Sequence, residues 1–104
     1  MTMMLLTKAN RKALPPLYSQ DGKGMDAIAH VKFFGGSRFT YYVTEFDGKD
    51  TFFGYLLSPL GADCDELCYF SLTELSKLRF PPFGLPIERD YHFTPGPLGE
   101  VKQT

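Results

Sequence analysis

Tryptophan is absent from this chain, cysteine occurs only twice in 104 residues, and there is no long apolar run. No stretch approaches the ~20 apolar residues that a membrane-spanning helix requires. The apolar run Met3–Leu6 is too short for the core of an export signal, and polar Thr7–Lys12 follows at once. A cytoplasmic protein is expected, with Cys64 and Cys68 reduced. An excess of positive charge is missing as well: a net charge of −1 lacks the basic footprint of a duplex-DNA binder. Nucleophile motifs, phosphate-binding loops, internal repeats and low-complexity segments are missing too. The pattern is that of a scaffold or a recognition surface, not a reaction centre.

What the chain does carry is rings. Ten Phe and six Tyr make aromatics 15% of the residues, and large rings give a small domain more buried area for each side chain it orders. The rest of the composition, 43% hydrophobic and 22% charged, is that of a globular protein. A length of 104 residues predicts one domain, residues 1–104, with a single core. Charge is divided unevenly. Residues 1–44 hold six basic side chains (Lys8, Arg11, Lys12, Lys23, Lys32 and Arg38) against Asp21 and Asp26, a net of +4. Residues 45–104 hold five basic against ten acidic groups, a net of −5. Two solvated faces account for this split; the sharper reading is a pole that meets an oppositely charged partner.

Two proline-fixed segments frame the chain, LPPLY at Leu14–Tyr18 and FGLPIERD at Phe83–Asp90. Ahead of the first, Thr7 can cap a short basic helix over Lys8–Ala13. Leu14 is its boundary, because a residue before proline is pushed out of helical geometry. After the polar loop Ser19–Gly24, a strand is predicted over Ala27–Phe34, with Ala27, Ala29, Val31 and Phe33 on one face. A Gly35-Gly36-Ser37 connection leads to a second strand, Phe39–Phe46, and Asp47-Gly48 turns the chain into a third, Thr51–Ser58. Both carry rings on two faces, Phe39 and Tyr41 opposite Tyr42 and Phe46, then Phe53 and Tyr55 opposite Phe52. Such a sheet is covered on both sides or keeps one side for binding.

An acidic loop, Pro59–Glu66, precedes a short extended segment at Leu67–Phe70. Ser71 with Glu74 has the capping-box spacing and opens a helix whose Leu72, Leu75 and Leu78 share a face, until Pro81-Pro82 ends it. Ile87, Arg89, Tyr91 and Phe93 then alternate with Glu88, Asp90 and His92, which predicts a final strand. Residues 1–6 and the tail 96–104 are expected to fray. The fold class is therefore α+β, an antiparallel β-meander of three to five strands with two short helices packed on it.

The strings LLTKANRKALPPLYSQDG, VKFF, YYVTEFDGKDTFFGYL, YFSLTEL and FGLPIERDYHFTPGPL cover about nine-tenths of the chain. In that order and spacing the chain resembles the small proteins grouped as domain of unknown function 2958. The resemblance implies a bacterial protein, often encoded on plasmids and other mobile elements, and it implies no catalytic residues. Members of that family commonly have a glycine before the YFSL string where this chain has Cys68, which counts against a role for that thiol.

Three constellations compete with bland explanations. Cys64, Cys68, His30 and His92 include zinc-ligand types, but the histidines lie on separate predicted strands and lack the local spacing of structural zinc sites. No metal or cofactor is expected. Glu88, Asp90 and His92 would line one face of the last strand and could support metal-assisted hydrolysis, with Glu45, Asp47 and Asp50 across the sheet. A solvated strand face explains them as well. Arg89 would point with Ile87 and Tyr91, where a guanidinium needs a partner. A structural ion pair with Glu45 (or with Asp47) is expected, and an anionic ligand is the minority alternative.

Single-stranded nucleic acid could stack on sheet rings with Lys32 and Arg38 along its backbone, although the acidic second half opposes phosphates. The leading reading is a non-enzymatic protein-interaction module of a plasmid or other mobile element, acting on a host, defence or element-encoded protein. Its candidate binding residues are Tyr18, Tyr42, Asp47, Asp50, Glu88 and Asp90.

Overall fold

The computed structural model describes residues 6–35, 39–57, 66–80 and 84–101. Helix α1, Lys8–Ala13, opens on a reciprocal cap: the Thr7 hydroxyl accepts the Asn10 N–H at 3.1 Å, and the Asn10 side-chain oxygen accepts the Thr7 N–H at 3.1 Å. Leu14 ends it in extended geometry before Pro15. Strands β1 (Ile28–Ala29), β2 (Val31–Gly35), β3 (Phe39–Phe46), β4 (Thr51–Leu57) and β5 (Glu66–Ser71) follow. Helix α2 is Leu72–Lys77, and short strands come next: β6 (Arg79–Phe80), β7 (Leu85–Pro86), β8 (Glu88–Arg89) and β9 (Gly96–Pro97). Helix α3, Leu98–Val101, closes the described chain. None of these helices is long and apolar enough to cross a membrane.

The architecture is the α+β arrangement read from the sequence. A five-stranded antiparallel sheet has the order β5-β4-β3-β2-β8, so β2 to β5 form a meander and β8 returns to the far edge beside β2. Short ladders β1-β9 and β6-β7 stand apart from it. The hairpin residues 36–38 and most of the acidic loop, 58–65, lie outside the described residues, as do Pro81 and Pro82.

Rings occupy both faces because each face has its own core. The larger core gathers Leu6 and Leu14 from the amino-terminal segment, Val31, Phe33, Tyr41, Val43, Phe46 and Phe52 from the sheet, and Leu75 and Ile87. Phe46 stacks on Phe52 at 4.6 Å, and Tyr41 meets Phe70 edge-on at 4.8 Å. LPPLY belongs to this packing: Leu14 is buried, and the Pro15 carbonyl accepts the Phe46 N–H at 2.9 Å. Leu75 carries α2 onto the same face, with Leu72 and Leu78 beside it, and Ser71 caps the helix by accepting the Glu74 N–H. The smaller core covers part of the opposite face with Ala27, Ala29, Tyr42, Tyr55 and Leu98.

Four expectations are corrected. The strand expected over Ala27–Phe34 breaks at His30. Before the break β1 pairs with β9, and Ala29 enters the smaller core while Val31, after it, enters the larger. In β3 the register shifts between Val43 and Glu45, a bulge at Thr44 that rotates Phe46 onto the Tyr41 face instead of the Tyr42 face. Opposite the bulge the strands approach so closely that a Cβ on Gly54 would fall on the Tyr42 carbonyl oxygen.

The final strand stops at Arg89, because Asp90 opens a turn in which its carboxylate accepts the His92 N–H at 2.9 Å. The tail is ordered through Val101: Gly96–Pro97 pair with β1, the Leu98 N–H donates to the Ala27 carbonyl at 2.9 Å, and the Leu98 side chain has no exposed surface. Apolar burial of Leu98 offsets the entropy that the polar flanks would otherwise favour. Replacing Leu98 with Ala is expected to cost about 2–5 kcal/mol. The melting temperature should then fall by roughly 10 °C or more, as followed by circular dichroism.

Candidate interaction surface

The bulge at Thr44 turns Glu45 onto the same face as its cross-strand neighbour Phe53. Glu45 is only 3% exposed, and its two carboxylate oxygens accept the backbone N–H groups of Tyr18 and Gln20, each at 2.8 Å. Two charge-assisted bonds satisfy a carboxylate that burial would otherwise penalise. Gln20, also buried, completes the join. Its amide nitrogen donates to the Ile28 and Thr44 carbonyls at 3.0 and 2.8 Å, and its side-chain oxygen accepts the Ile28 N–H at 2.6 Å. The loop after LPPLY is thus bonded to β1 and to the bulge of β3.

Tyr18 sits at φ 71°, a left-handed conformation that costs a non-glycine residue roughly 1–2 kcal/mol. The Glu45 carboxylate holds it there, and its ring is 66% exposed. The Tyr18 phenol lies beside that of Tyr69, and the Tyr69 ring packs on Phe53 with centroids 4.8 Å apart. Tyr69 is 52% exposed, and Leu67, two residues earlier on β5, is 39% exposed. Tyr18, Phe53, Leu67 and Tyr69 therefore form one aromatic patch on the part of the face that the smaller core leaves open. Desolvation raises the Tyr69 phenol above its ordinary value, and Tyr18, Glu45 and Asp21 raise it further. The neighbouring charge is acidic.

The expected binding residues are not gathered in one place. Tyr18 is in the patch. Tyr42 is 1% exposed, a correction to its expected role: its ring lies 5.9 Å from Phe93 with the Lys32 ammonium 5.6 Å above it, and its hydroxyl donates to the Val101 carbonyl. Asp47 shapes its own turn, one carboxylate oxygen accepting the N–H groups of Lys49, Asp50 and Thr51 at 2.7–3.0 Å. Asp50 bonds the Ser71 hydroxyl and both the hydroxyl and N–H of Thr73, tying that turn to the start of α2. Glu88 is exposed on β8, and Asp90 lies 3.9 Å from the Lys32 ammonium.

The turn after Arg89 carries His92 out of line with Glu88 and Asp90, so the three do not share one strand face. The expected Glu45–Arg89 pair is replaced: Glu45 serves the Tyr18–Gln20 backbone, and the Arg89 guanidinium lies 4.9 Å over the Tyr91 ring. Among the described residues no three His, Cys, Asp or Glu side chains cluster as a metal-ion group, and Cys64 lies outside them.

Residues 4–99 match the family described as Protein of unknown function (DUF2958). The chain belongs to that family. No curated protein and no solved structure matches it. For this family member, sequence reasoning missed Glu45 as a clamp and Tyr69 as a surface ring. The alternation Leu67-x-Tyr69 in an extended segment was the available signal for the second.

Replacing Glu45 with Gln leaves one of the two N–H groups facing an amide nitrogen. The expected loss is about 2 kcal/mol or more, with faster hydrogen exchange at the Tyr18 and Gln20 amides as the local readout. Asp50 gives a pH prediction. Its carboxyl is held below the ordinary 3.8 by the Ser71 hydroxyl first and by Thr73 next. A depressed folded-state pKa means the unfolded chain binds the proton more readily, so this stabilisation is complete above about pH 5 and fades as acid approaches the folded-state value. The gap in melting temperature between the wild type and Asp50→Asn should be constant above that pH and shrink below it.

Proposed function

We propose that the protein is a non-enzymatic interaction module that engages a partner protein through the Tyr18–Phe53–Leu67–Tyr69 surface. The observation that carries this reading is the group of large exposed side chains on a sheet whose supporting loop is clamped by a buried carboxylate. Tyrosine offers wide contact area and a polar tip at low entropic cost, and a pre-ordered patch loses little freedom on association. The family resemblance supports a setting on a plasmid or other mobile element, with the partner supplied by the host or the element.

Stacking of single-stranded nucleic acid draws less support. Tyr42 is buried, Lys32 is engaged by Asp90 and Tyr42, and the charged neighbours of Tyr69 are acidic. The hydrolase reading loses its shared face at the Asp90 turn.

Affinity enrichment from the native host, read by mass spectrometry, compares the wild type with a Tyr18→Ser/Tyr69→Ser double variant of near-native melting temperature. A protein recovered by the wild type and lost with the variant is the expected result. Labelled single strands at low salt should give no saturable anisotropy change. Micromolar oligonucleotide affinity with a steep salt dependence would overturn the proposal.

A further inference from the structure

The five-stranded sheet has two edges, and they differ. At β8 the edge is two residues long, with Pro86 shortly before it and the Asp90 turn directly after. Short length and proline both guard an edge against pairing with another chain. At the other edge β5 runs from Glu66 to Ser71 in unbroken register with β4, from Leu56↔Glu66 to Thr51↔Ser71. Leu67–Ser71 holds no charge, no proline and no bulge. Among the described residues no strand covers its outer side.

Backbone hydrogen bonds fix which groups face outward. Antiparallel residue pairs alternate between bonded and unbonded. The Leu72 N–H donates to the Asp50 carbonyl at 2.6 Å, one step beyond the Thr51–Ser71 pair. Bonded pairs with β4 therefore fall at Phe70, Cys68 and Glu66, and the N–H and C=O groups of Leu67 and Tyr69 point away from the sheet. Thr51 agrees, because its carbonyl is turned to β3 and accepts the Asp47 N–H at 3.0 Å. The 4.8 Å contact of the Phe53 and Tyr69 rings fits the closer spacing of an unbonded pair. Leu67 and Tyr69 thus present donors and acceptors at the repeat of an extended chain, beside their own exposed side chains.

An extended peptide is the ligand whose backbone matches that repeat. Charge selects its composition. Glu45 and Asp21 are the charged neighbours of Tyr69, and Asp63, Asp65 and Glu66 lead into β5 with no basic residue from Pro59 onward. A second copy pairing through its own β5 would bring another such acidic set against the first. Lysine or arginine in a different partner would neutralise it.

We propose that the β5 edge accepts an extended segment of the partner protein as a sixth strand, apolar at alternate positions and flanked by lysine or arginine. The inference rests on the Tyr18–Phe53–Leu67–Tyr69 reading for its partner and adds how that partner is held. Main-chain bonds to Leu67 and Tyr69 grip the segment, and its apolar side chains lie against the Phe53 and Tyr69 rings.

The probe is a displayed library of short random peptides, panned against the full-length protein, with the selected sequences then synthesised. Selected peptides are expected to carry the alternating, basic-flanked pattern. Their binding should slow hydrogen exchange at the Leu67 and Tyr69 amides, which exchange fast in the free protein. N-methylation of a bound peptide should weaken it by roughly tenfold or more at every second residue and little between. Leu67→Pro removes an outward N–H and no bond to β4, so it should lose binding that Leu67→Ser retains. Slow exchange at these amides in the free monomer would overturn the proposal. So would failure to select any peptide, or N-methyl sensitivity without alternation. A dimer in sedimentation with these amides protected would assign the edge to a second copy and overturn the partner segment. Peptides lost in the Tyr18→Ser/Tyr69→Ser variant, yet indifferent to Leu67→Pro and giving no protection, would overturn strand addition and leave the patch reading standing. Peptides that protect the edge and bind that double variant unchanged would support strand addition and overturn the patch reading.

Discussion

The carboxylate of Glu45 is where the amino-terminal segment and the sheet become one structure. Its two bonds to the Tyr18 and Gln20 N–H groups hold the loop after LPPLY in a conformation that Tyr18 would not adopt alone. They are available only because the Thr44 bulge rotates Glu45 out of the larger core, where strict alternation from Tyr41 and Val43 would have placed it. The same rotation delivers Phe46 to that core, against Phe52 and beneath the Arg11 guanidinium 5.5 Å away. One extra residue in one strand thus settles an apolar position and a polar one together. Gly54 is the local condition for it, since a side chain there would collide with the β3 backbone.

Around that join, carboxylates bonded to backbone and hydroxyl groups tie the described residues together. Asp47 closes the β3–β4 turn, Asp50 links that turn to α2, and Asp90 forms the turn after β8. Each removes an acidic residue from the set that could serve a partner, while Tyr18 and Tyr69 stay exposed. Hydrogen bonds of this kind specify loop geometry, whereas isolated surface ion pairs contribute little. The proposed interaction patch lies next to the Glu45 clamp.

Local order along the chain was open to reading because local chemistry decides it. Thr7 and Pro15 bound α1, Ser71 caps α2, Asp47-Gly48 turns β3 into β4, and the paired rings of β3 and β4 announced a sheet either covered on two faces or keeping one for binding. These depend on neighbours within a few residues, so the α+β class and the meander follow from the sequence by itself. Pairing between distant segments does not show in a linear pattern. The bulge at Thr44, the break at His30, the docking of Leu98 and the destination of the Glu45 carboxylate each depend on what lies across the fold. The period-two pattern from Ile87 to Phe93 was genuine in the sequence, yet a single side-chain bond from Asp90 turned it into a corner. Exposure follows the same division. Tyr18 and Tyr42 are the same residue type, and only the tertiary contacts of Phe93, Lys32 and Val101 bury one while the Glu45 clamp presents the other, because burial is set by which distant elements arrive over a ring and not by the ring itself.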